Sequence, residues 1–281
     1  MSEFEDWIGR SVSVTDVLEC ARSNALDVAL GGEGAGKAGD PLPLLHHWLY
    51  FWDVKPPQGL GADGHPAKGG FLPPVPLPRR MWAGGRVSFV KPLLLGQTVT
   101  KTSTITAIKE KTGSTGKLVF VTVRHDLDVG EGIAVSEEQD LVYREPASAM
   151  LPAPVAAPAP DVAWREEVNP DSVLLFRYSA LTMNGHRIHY DRKYAMEEEA
   201  YPGLVVHGPL QATLLVALAA RSLDVPVTGF DFRGQQPAFD GVPLHVCGQA
   251  TESGAEVWTQ QGEAKNMVAT VRTSVLAGSA A

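Results

Sequence analysis

The stretch Gly203-Leu204-Val205-Val206-His207-Gly208-Pro209-Leu210-Gln211-Ala212-Thr213-Leu214-Leu215-Val216-Ala217-Leu218-Ala219-Ala220-Arg221-Ser222 sets the architecture of this chain. Pro209, directly after Gly208, suits the first turn of a helix, where its missing amide costs nothing. Residues 210–220 are apolar almost all round, so the helix predicted over 208–222 has to be buried. The chain beyond this helix is strand-rich: 225–232, 242–250, 257–263 and 268–276 carry β-branched and aromatic residues between turn signals. A curved antiparallel sheet wrapped around one central helix is the expected unit.

Upstream of it, Asn169 as N-cap and Pro170 as first helical residue precede Val173, Phe176, Ala180 and Leu181 at helical spacing. The first half offers a similar helix in Val17, Leu18, Ala21 and Ala25 after Thr15 and Asp16. It also ends in strands, 85–89, 98–108, 118–126 and 133–143, with a hairpin turn at 113–116. The same order of elements read twice predicts a duplicated fold. Between the copies runs Pro146-Ala147-Ser148-Ala149-Met150-Leu151-Pro152-Ala153-Pro154-Val155-Ala156-Ala157-Pro158-Ala159-Pro160, a composition that disfavours helix and sheet. The expected division is residues 1–145, a linker at 146–162, and residues 163–281. Residues 41–80 hold nine prolines among Trp48, Tyr50, Phe51 and Trp52, so the first half's helix should be short or broken. That half suits substrate enclosure rather than chemistry.

The 281 residues, 44% hydrophobic and 20% charged, fit a globular protein of two units. A net charge of −8 provides no broad basic surface, which argues against nucleic acid as a partner. Two cysteines, Cys20 and Cys247, make no disulfide framework and no zinc spacing, and a reducing cytoplasm fits them. Residues 1–10 lack the pattern of a signal peptide, and the 210–220 run is about half of the ~20 residues a membrane span needs. Gly31-Gly32-Glu33-Gly34-Ala35-Gly36-Lys37 lacks phosphate-loop spacing and reads as a flexible loop.

Asn184-Gly185-His186-Arg187-Ile188-His189-Tyr190-Asp191, followed downstream by His207-Gly208, resembles the hydratase motif of MaoC-like enzymes. That pattern runs Asp, any residue, Asn-Pro, aliphatic, His, and then a His-Gly opening the central helix. The resemblance places His189 on the catalytic histidine and Asn184 on the catalytic aspartate. Asn184 and the pair His186-Arg187 depart from the family's Asp and Asn-Pro, which points to a subfamily. The stretches 71–85 and 176–182 are similar to mesaconyl-C4-CoA (3-methylfumaryl-CoA) and itaconyl-CoA hydratases, and to the 3-hydroxyacyl-thioester dehydratase group. The resemblance spans nearly the whole chain and implies an α+β double hot-dog: two curved antiparallel sheets, each around a central helix. It also implies a hydro-lyase acting on a short enoyl-CoA, with coenzyme A as part of the substrate and no metal or other cofactor.

Adding water across an enoyl-thioester requires a base for the water, an acid for the α-carbon, and stabilisation of an enolate. A histidine can perform both proton transfers, so His189 takes them and the non-titrating Asn184 positions the water. The Gly208 amide, at the positive end of the helix, is the expected enolate donor. Arg187, Arg79 and Arg80 are candidates for a substrate carboxylate, with a solvated or ion-paired arginine as the alternative for each, and His207 is a candidate to orient substrate or helix start. Taken alone, His189 would pass for a structural histidine and Asn184-Gly185 for a turn; the surrounding motif reverses the first reading. Asp191 most simply caps a helix at 192–198, the glutamates at 197–199 read as a solvated face, and the 48–52 aromatics read as packing, with the floor of the acyl pocket as the alternative.

A dehydratase of 3-hydroxyacyl thioesters in fatty-acid metabolism and a non-catalytic thioester-binding protein stay open beside the hydratase. A thioesterase lacks its acidic base, since the helix bears only Gln211. Two units in one chain can pair their sheet edges internally, and a homodimer is left open.

Overall fold

The computed structural model describes residues 3–113, 116–146, 151–156 and 158–274. The first half contains β1 (Ser11–Val17), α1 (Cys20–Ala29), β2 (Arg79–Phe89), β3 (Thr98–Gly113), β4 (Gly116–Asp128) and β5 (Ile133–Arg144). The second contains β6 (Trp164–Val168), α2 (Ser172–Thr182), α3 (Arg192–Glu197), α4 (Gly208–Ser222), β7 (Val227–Gly234), β8 (Leu244–Thr251), β9 (Gly254–Gln261) and β10 (Ala264–Thr273).

Helix α4 occupies the expected span, and Leu210, Ala212, Leu215, Val216 and Ala219 are fully buried along it. Burying one such leucine contributes roughly 1.5–3 kcal/mol, so the helix is held by the sheet around it rather than by propensity. All strands join into one antiparallel sheet in the order β1-β3-β4-β5-β2-β7-β10-β9-β8-β6. The two half-sheets meet where β2 pairs with β7, Gly84 facing Arg233 and Val87 facing Phe230. A Cβ on Gly84 would stand 2.5 Å from the Phe232 carbonyl oxygen, so the seam needs glycine there. Internal pairing of this kind satisfies the edge that each half alone would expose.

In the first half, only two 3-10 turns, His46–Leu49 and Pro57–Gly59, lie between α1 and β2. The prolines and aromatics thus give no second α4. Leu45, Leu49, Tyr50 and Phe51 fill the space. Beneath them the buried Glu137 accepts hydrogen bonds from His47 Nε2 at 2.9 Å, Trp48 Nε1 at 2.8 Å and Gln139 Nε2 at 2.8 Å. Burial alone would raise the Glu137 carboxyl, but His47 and the other donors outweigh it and hold it down at about 2.

Four expectations are corrected. The helix expected from Val17 begins at Cys20, because residues 11–17 pair with β3 as a strand. Ser11, Ser13 and Thr15 bond the hydroxyls of Thr104, Thr102 and Thr100 at 3.1, 2.9 and 2.9 Å, a cross-strand ladder that a helix would forfeit. Helix α2 is capped by Asp171, whose side chain accepts from Leu174 N at 2.8 Å, rather than by Asn169. Its buried face is Leu175, Tyr178 and Ser179, leaving Val173 and Phe176 about 60% exposed. The glycine loop is pinned rather than flexible: Gly34 N donates to Asp27 Oδ2 and Gly36 N to Asn24 Oδ1, at 2.8 and 3.0 Å. Strand β6, absent from the sequence-based expectation, pairs with β8. The hairpin tip at 114–115, linker residues 147–150 and 157, and the end of the last predicted strand, 275–276, lie outside the described residues.

Candidate active site

Helix α2 stops at Thr182 because Met183 turns left-handed, with φ 52°. The chain then runs through Asn184 into a single 3-10 turn, Arg187–His189. Asp191, accepting from Tyr194 N at 3.1 Å, starts α3 as expected of a cap. This irregular segment faces the N-terminus of α4 across a cavity of about 1300 Å³. Asn184, His189 and Gly208 all line that cavity, so the three groups selected from the sequence share one space.

His189 is buried, and its Nδ1 lies 2.7 Å from the Val205 carbonyl oxygen. A carbonyl only accepts, so Nδ1 carries the proton and Nε2 keeps its lone pair. Burial pushes the imidazole down to about 4, despite the opposing pull of the Val205 bond, and the ring is neutral at physiological pH. Asn184 Oδ1 accepts from the His186 backbone N–H at 3.0 Å, which leaves the Nδ2 hydrogens as donors. Gly208 opens α4, where the first amides have no partner within the helix. A Cβ placed on Gly208 would meet nothing nearer than Met267 Cε at 3.8 Å. Gln211, one turn further, also lines the cavity and accepts from Thr259 Oγ1 at 2.6 Å.

Three of the expected substrate contacts are engaged by other groups of the protein. Arg187 lies outside the cavity lining, with Nη2 2.7 Å and Nε 3.0 Å from Asp191 Oδ2 and its guanidinium over the Tyr194 ring. Its charge is already paired. His207 also lies outside the lining and is fully buried, stacked at 3.7 Å on His189 with Nε2 2.8 Å from Ser179 Oγ. It stands behind the His189 imidazole and packs flat against it. Arg79 does border the cavity, but its Nε pairs with Glu199 Oε2 at 2.8 Å and Nη2 donates to the Glu199 carbonyl at 2.6 Å. Glu199 is accordingly a cavity-side counter-ion and not part of a solvated face. Arg80 lines the cavity, and among the described residues no carboxylate lies within ion-pair distance of it. Of the aromatic run, Trp48 packs on Trp82 at 4.9 Å, whereas Phe51 and Trp52 reach the cavity wall.

Sequence reasoning missed Asp63, His65 and His186, which line the same cavity. His65 Nδ1 lies 3.0 Å from Asp63 Oδ2, and its ring is 4.1 Å from that of His186. His186 in turn meets His189 edge-on at 5.5 Å. Burial opposes ionisation of Asp63, but its bonds with His65 outweigh that and hold the carboxyl well below the usual range. Burial also lowers His65, and it pushes His186, next to two other imidazoles, down to about 2. One ligand atom from each of Asp63, His65 and His186 lies within 4.8 Å of the others, a spacing a divalent cation can bridge. The positive field of Arg80 on both histidines opposes such a cation.

The 61–66 loop of the first half reaches this place by backbone contact. Arg187 N donates to the Asp63 carbonyl at 2.9 Å, and Arg187 Nη1 to that of Ala62 at 3.1 Å. Gly64, at φ +87°, lies so close that a Cβ would stand 2.0 Å from the Gly185 carbonyl oxygen. Arg187 thus clamps the loop onto the 184–189 segment. Gly64→Ala is expected to cost about 1–3 kcal/mol through strain and displacement of the loop. A thermal melt and kcat/KM both equal to those of the parent protein would contradict the close contact.

One ten-stranded sheet made of two halves, with a buried helix in the second half and a neutral imidazole beside its N-terminus, defines a double hot-dog of the MaoC-like kind. A MaoC-like dehydratase from Phytophthora capsici shares the fold, with a TM-score of 0.68 at 14% identity, covering 99% of this chain and 100% of that one. So does a Mycobacterium tuberculosis protein described as a double hot-dog, with a TM-score of 0.58 at 12% identity over 95% and 96% of the two chains. The chain belongs to the hydroxyacyl-thioester dehydratase type 2 family, which it matches over residues 45–240. It is also similar to the mesaconyl-C(4)-CoA hydratase of Chloroflexus aurantiacus, 49% identical over 85% of this chain and 86% of that relative.

Proposed function

We propose that this protein is a hydro-lyase that reversibly hydrates a short dicarboxylic enoyl-CoA, mesaconyl-C4-CoA in the first instance. The observation that carries the reading is the convergence of His189, Asn184 and Gly208 on one cavity, in a chain 49% identical to a mesaconyl-C(4)-CoA hydratase. The thioester oxygen sits at the Gly208 N–H, where an amide and the helix dipole meet developing negative charge. Water donates to the lone pair on His189 Nε2 and accepts from Asn184 Nδ2. His189 removes one proton as the hydroxyl bonds to the β-carbon and the π bond opens; the electron pair moves onto the thioester enolate. The same imidazolium then gives its proton to the α-carbon. Because one ring serves both steps, hydroxyl and hydrogen arrive on the same face.

Dehydration of 3-hydroxyacyl thioesters is this sequence reversed, and the family match supports it as a second reading. Water and the residues named suffice for the chemistry, so the proposal contains no metal or redox cofactor. Gln211 supplies no carboxylate to aim water at the thioester carbon, which disfavours hydrolysis. The proposal extends to a reducing cytoplasm, supported by two free cysteines, and to a homodimer through the outer strands β1 and β6. Among the described residues no helix is long and apolar enough to cross a membrane.

The test is loss of the conjugated enoyl-thioester absorbance on adding purified protein to mesaconyl-C4-CoA. No loss with this substrate or crotonyl-CoA near neutral pH would leave only a binding role. The depressed imidazole also sets the pH profile. The base works while neutral, and it protonates only as pH falls through about 4. The kcat/KM is therefore expected to stay level from pH 8 to 5; a decline centred near 6.5, the ordinary histidine value, would count against His189 as the base.

A further inference from the structure

We propose that Arg80 is the specificity-determining residue of this cavity, pairing with the free carboxylate of a dicarboxylic acyl-CoA. The inference rests on the hydratase reading and adds the group that selects the acyl chain. In mesaconyl-C4-CoA the carbon that receives the hydroxyl also bears the carboxylate, which the trans double bond directs away from the thioester. With the thioester oxygen at Gly208 and the double bond over His189 and Asn184, the carboxylate lies just beyond the reacting carbons. Beside His189 on the cavity wall stand His186 and then His65, with ring centroids 5.5 Å apart for His189 and His186 and 4.1 Å apart for His186 and His65. Arg80 lies within electrostatic range of both, and His186 lies within range of Arg80 and His189 together.

Charge accounting at this end selects Arg80. Arg79 is cancelled by Glu199 at 2.8 Å, and Arg187 by Asp191 outside the cavity. Asp63 is the remaining carboxylate of the cluster, and its field acts on Lys68, whose Nζ bonds the Leu77 carbonyl away from the lining. Arg80 and Lys68 against Asp63 leave one positive charge in excess around His65 and His186, and Arg80 is the cation of these two that borders the cavity; Lys101 and Arg144 border the cavity as well, but Arg80 is the one whose field reaches both histidines. A single carboxylate neutralises it. The guanidinium offers the planar fork that a carboxylate accepts in bidentate fashion. It also acts on the reaction itself: an unpaired carboxylate on the β-carbon repels electron density arriving from the attacking water, and pairing removes that repulsion.

The test compares acyl groups with and without the charge. Wild-type protein titrated calorimetrically with succinyl-CoA and butyryl-CoA, unreactive chains of matching length, is expected to bind the dicarboxylate at least tenfold more tightly. In parallel, Arg80→Gln is expected to lower kcat/KM for mesaconyl-C4-CoA by on the order of 10²–10³, and for crotonyl-CoA by less than tenfold. Equal affinities of the wild type for the two saturated thioesters overturn the assignment without any variant, as does an equal loss on both substrates in Arg80→Gln. Wild-type protein that hydrates none of these thioesters would instead remove the hydratase reading. Hydration of crotonyl-CoA with no preference for a carboxylate would leave that reading standing and remove Arg80.

Discussion

Replacing His189 by Ala is expected to lower kcat/KM for the enoyl-CoA by about 10³-fold or more, since the proposed mechanism gives both proton transfers to one imidazole. Asn184 and the Gly208 amide remain in that variant, so substrate still binds and KM changes far less than kcat. The substitution also deprives the Val205 carbonyl of its donor at 2.7 Å and opens a gap against His207. A stability loss of about 1–3 kcal/mol should accompany it. The near-ultraviolet circular dichroism spectrum checks that the fold persists, and His189→Gln, which can still donate to that carbonyl, separates lost packing from lost chemistry. A tenth of parental turnover in either folded variant would remove His189 from the mechanism.

Gly208→Pro should cost about 3 kcal/mol of barrier, on the order of 10²-fold in kcat, by deleting one N–H while keeping the helix start. The position tolerates proline. His207 has φ −56° and ψ 132°, the extended conformation that a residue before proline adopts, and a helix accepts proline in its first turn. Gly208→Ala is the control: it retains the amide, and its Cβ approaches only Met267 Cε at an ordinary 3.8 Å. The proline variant should therefore be much slower than the alanine variant. Equal rates for the two would show that the thioester oxygen is held elsewhere.

The proposed catalytic group is legible in the sequence because it is local. Asn184 and His189 lie five residues apart on one irregular turn, and Gly208 opens the helix whose apolar run is the plainest signal in the chain. Arginine identity is a poorer guide. Arg187, within the motif, turns out to fasten a loop, because Asp191 one turn later captures its guanidinium. Arg79 and Arg80 are adjacent, yet alternation along β2 buries one against Glu199 and leaves the other at the cavity without an ion pair among the described residues. Asp63 and His65 carry no local signal at all. They sit among glycines and prolines in the first half, and the one hint is Gly64, whose lack of a side chain matters only against Gly185. Strand β1 is different, since Ser11, Val12, Ser13, Val14 and Thr15 alternate plainly, and that period of two is a stronger signal than the helical spacing that begins at Val17.

Periodicity and composition along the chain settled that α4 is a buried helix, that strands come after it, and that the first half has no equal to it. Each of those results from contacts a residue makes within a few positions of itself, or from how evenly apolar side chains surround an axis. Three-dimensional packing decided the rest: the seam of β2 on β7, the docking of the 61–66 loop on the 184–189 turn, and which of the arginines are held by carboxylates. Those outcomes depend on groups far apart in sequence neutralising or excluding one another, and such pairings exist only once the sheet has closed around its helix.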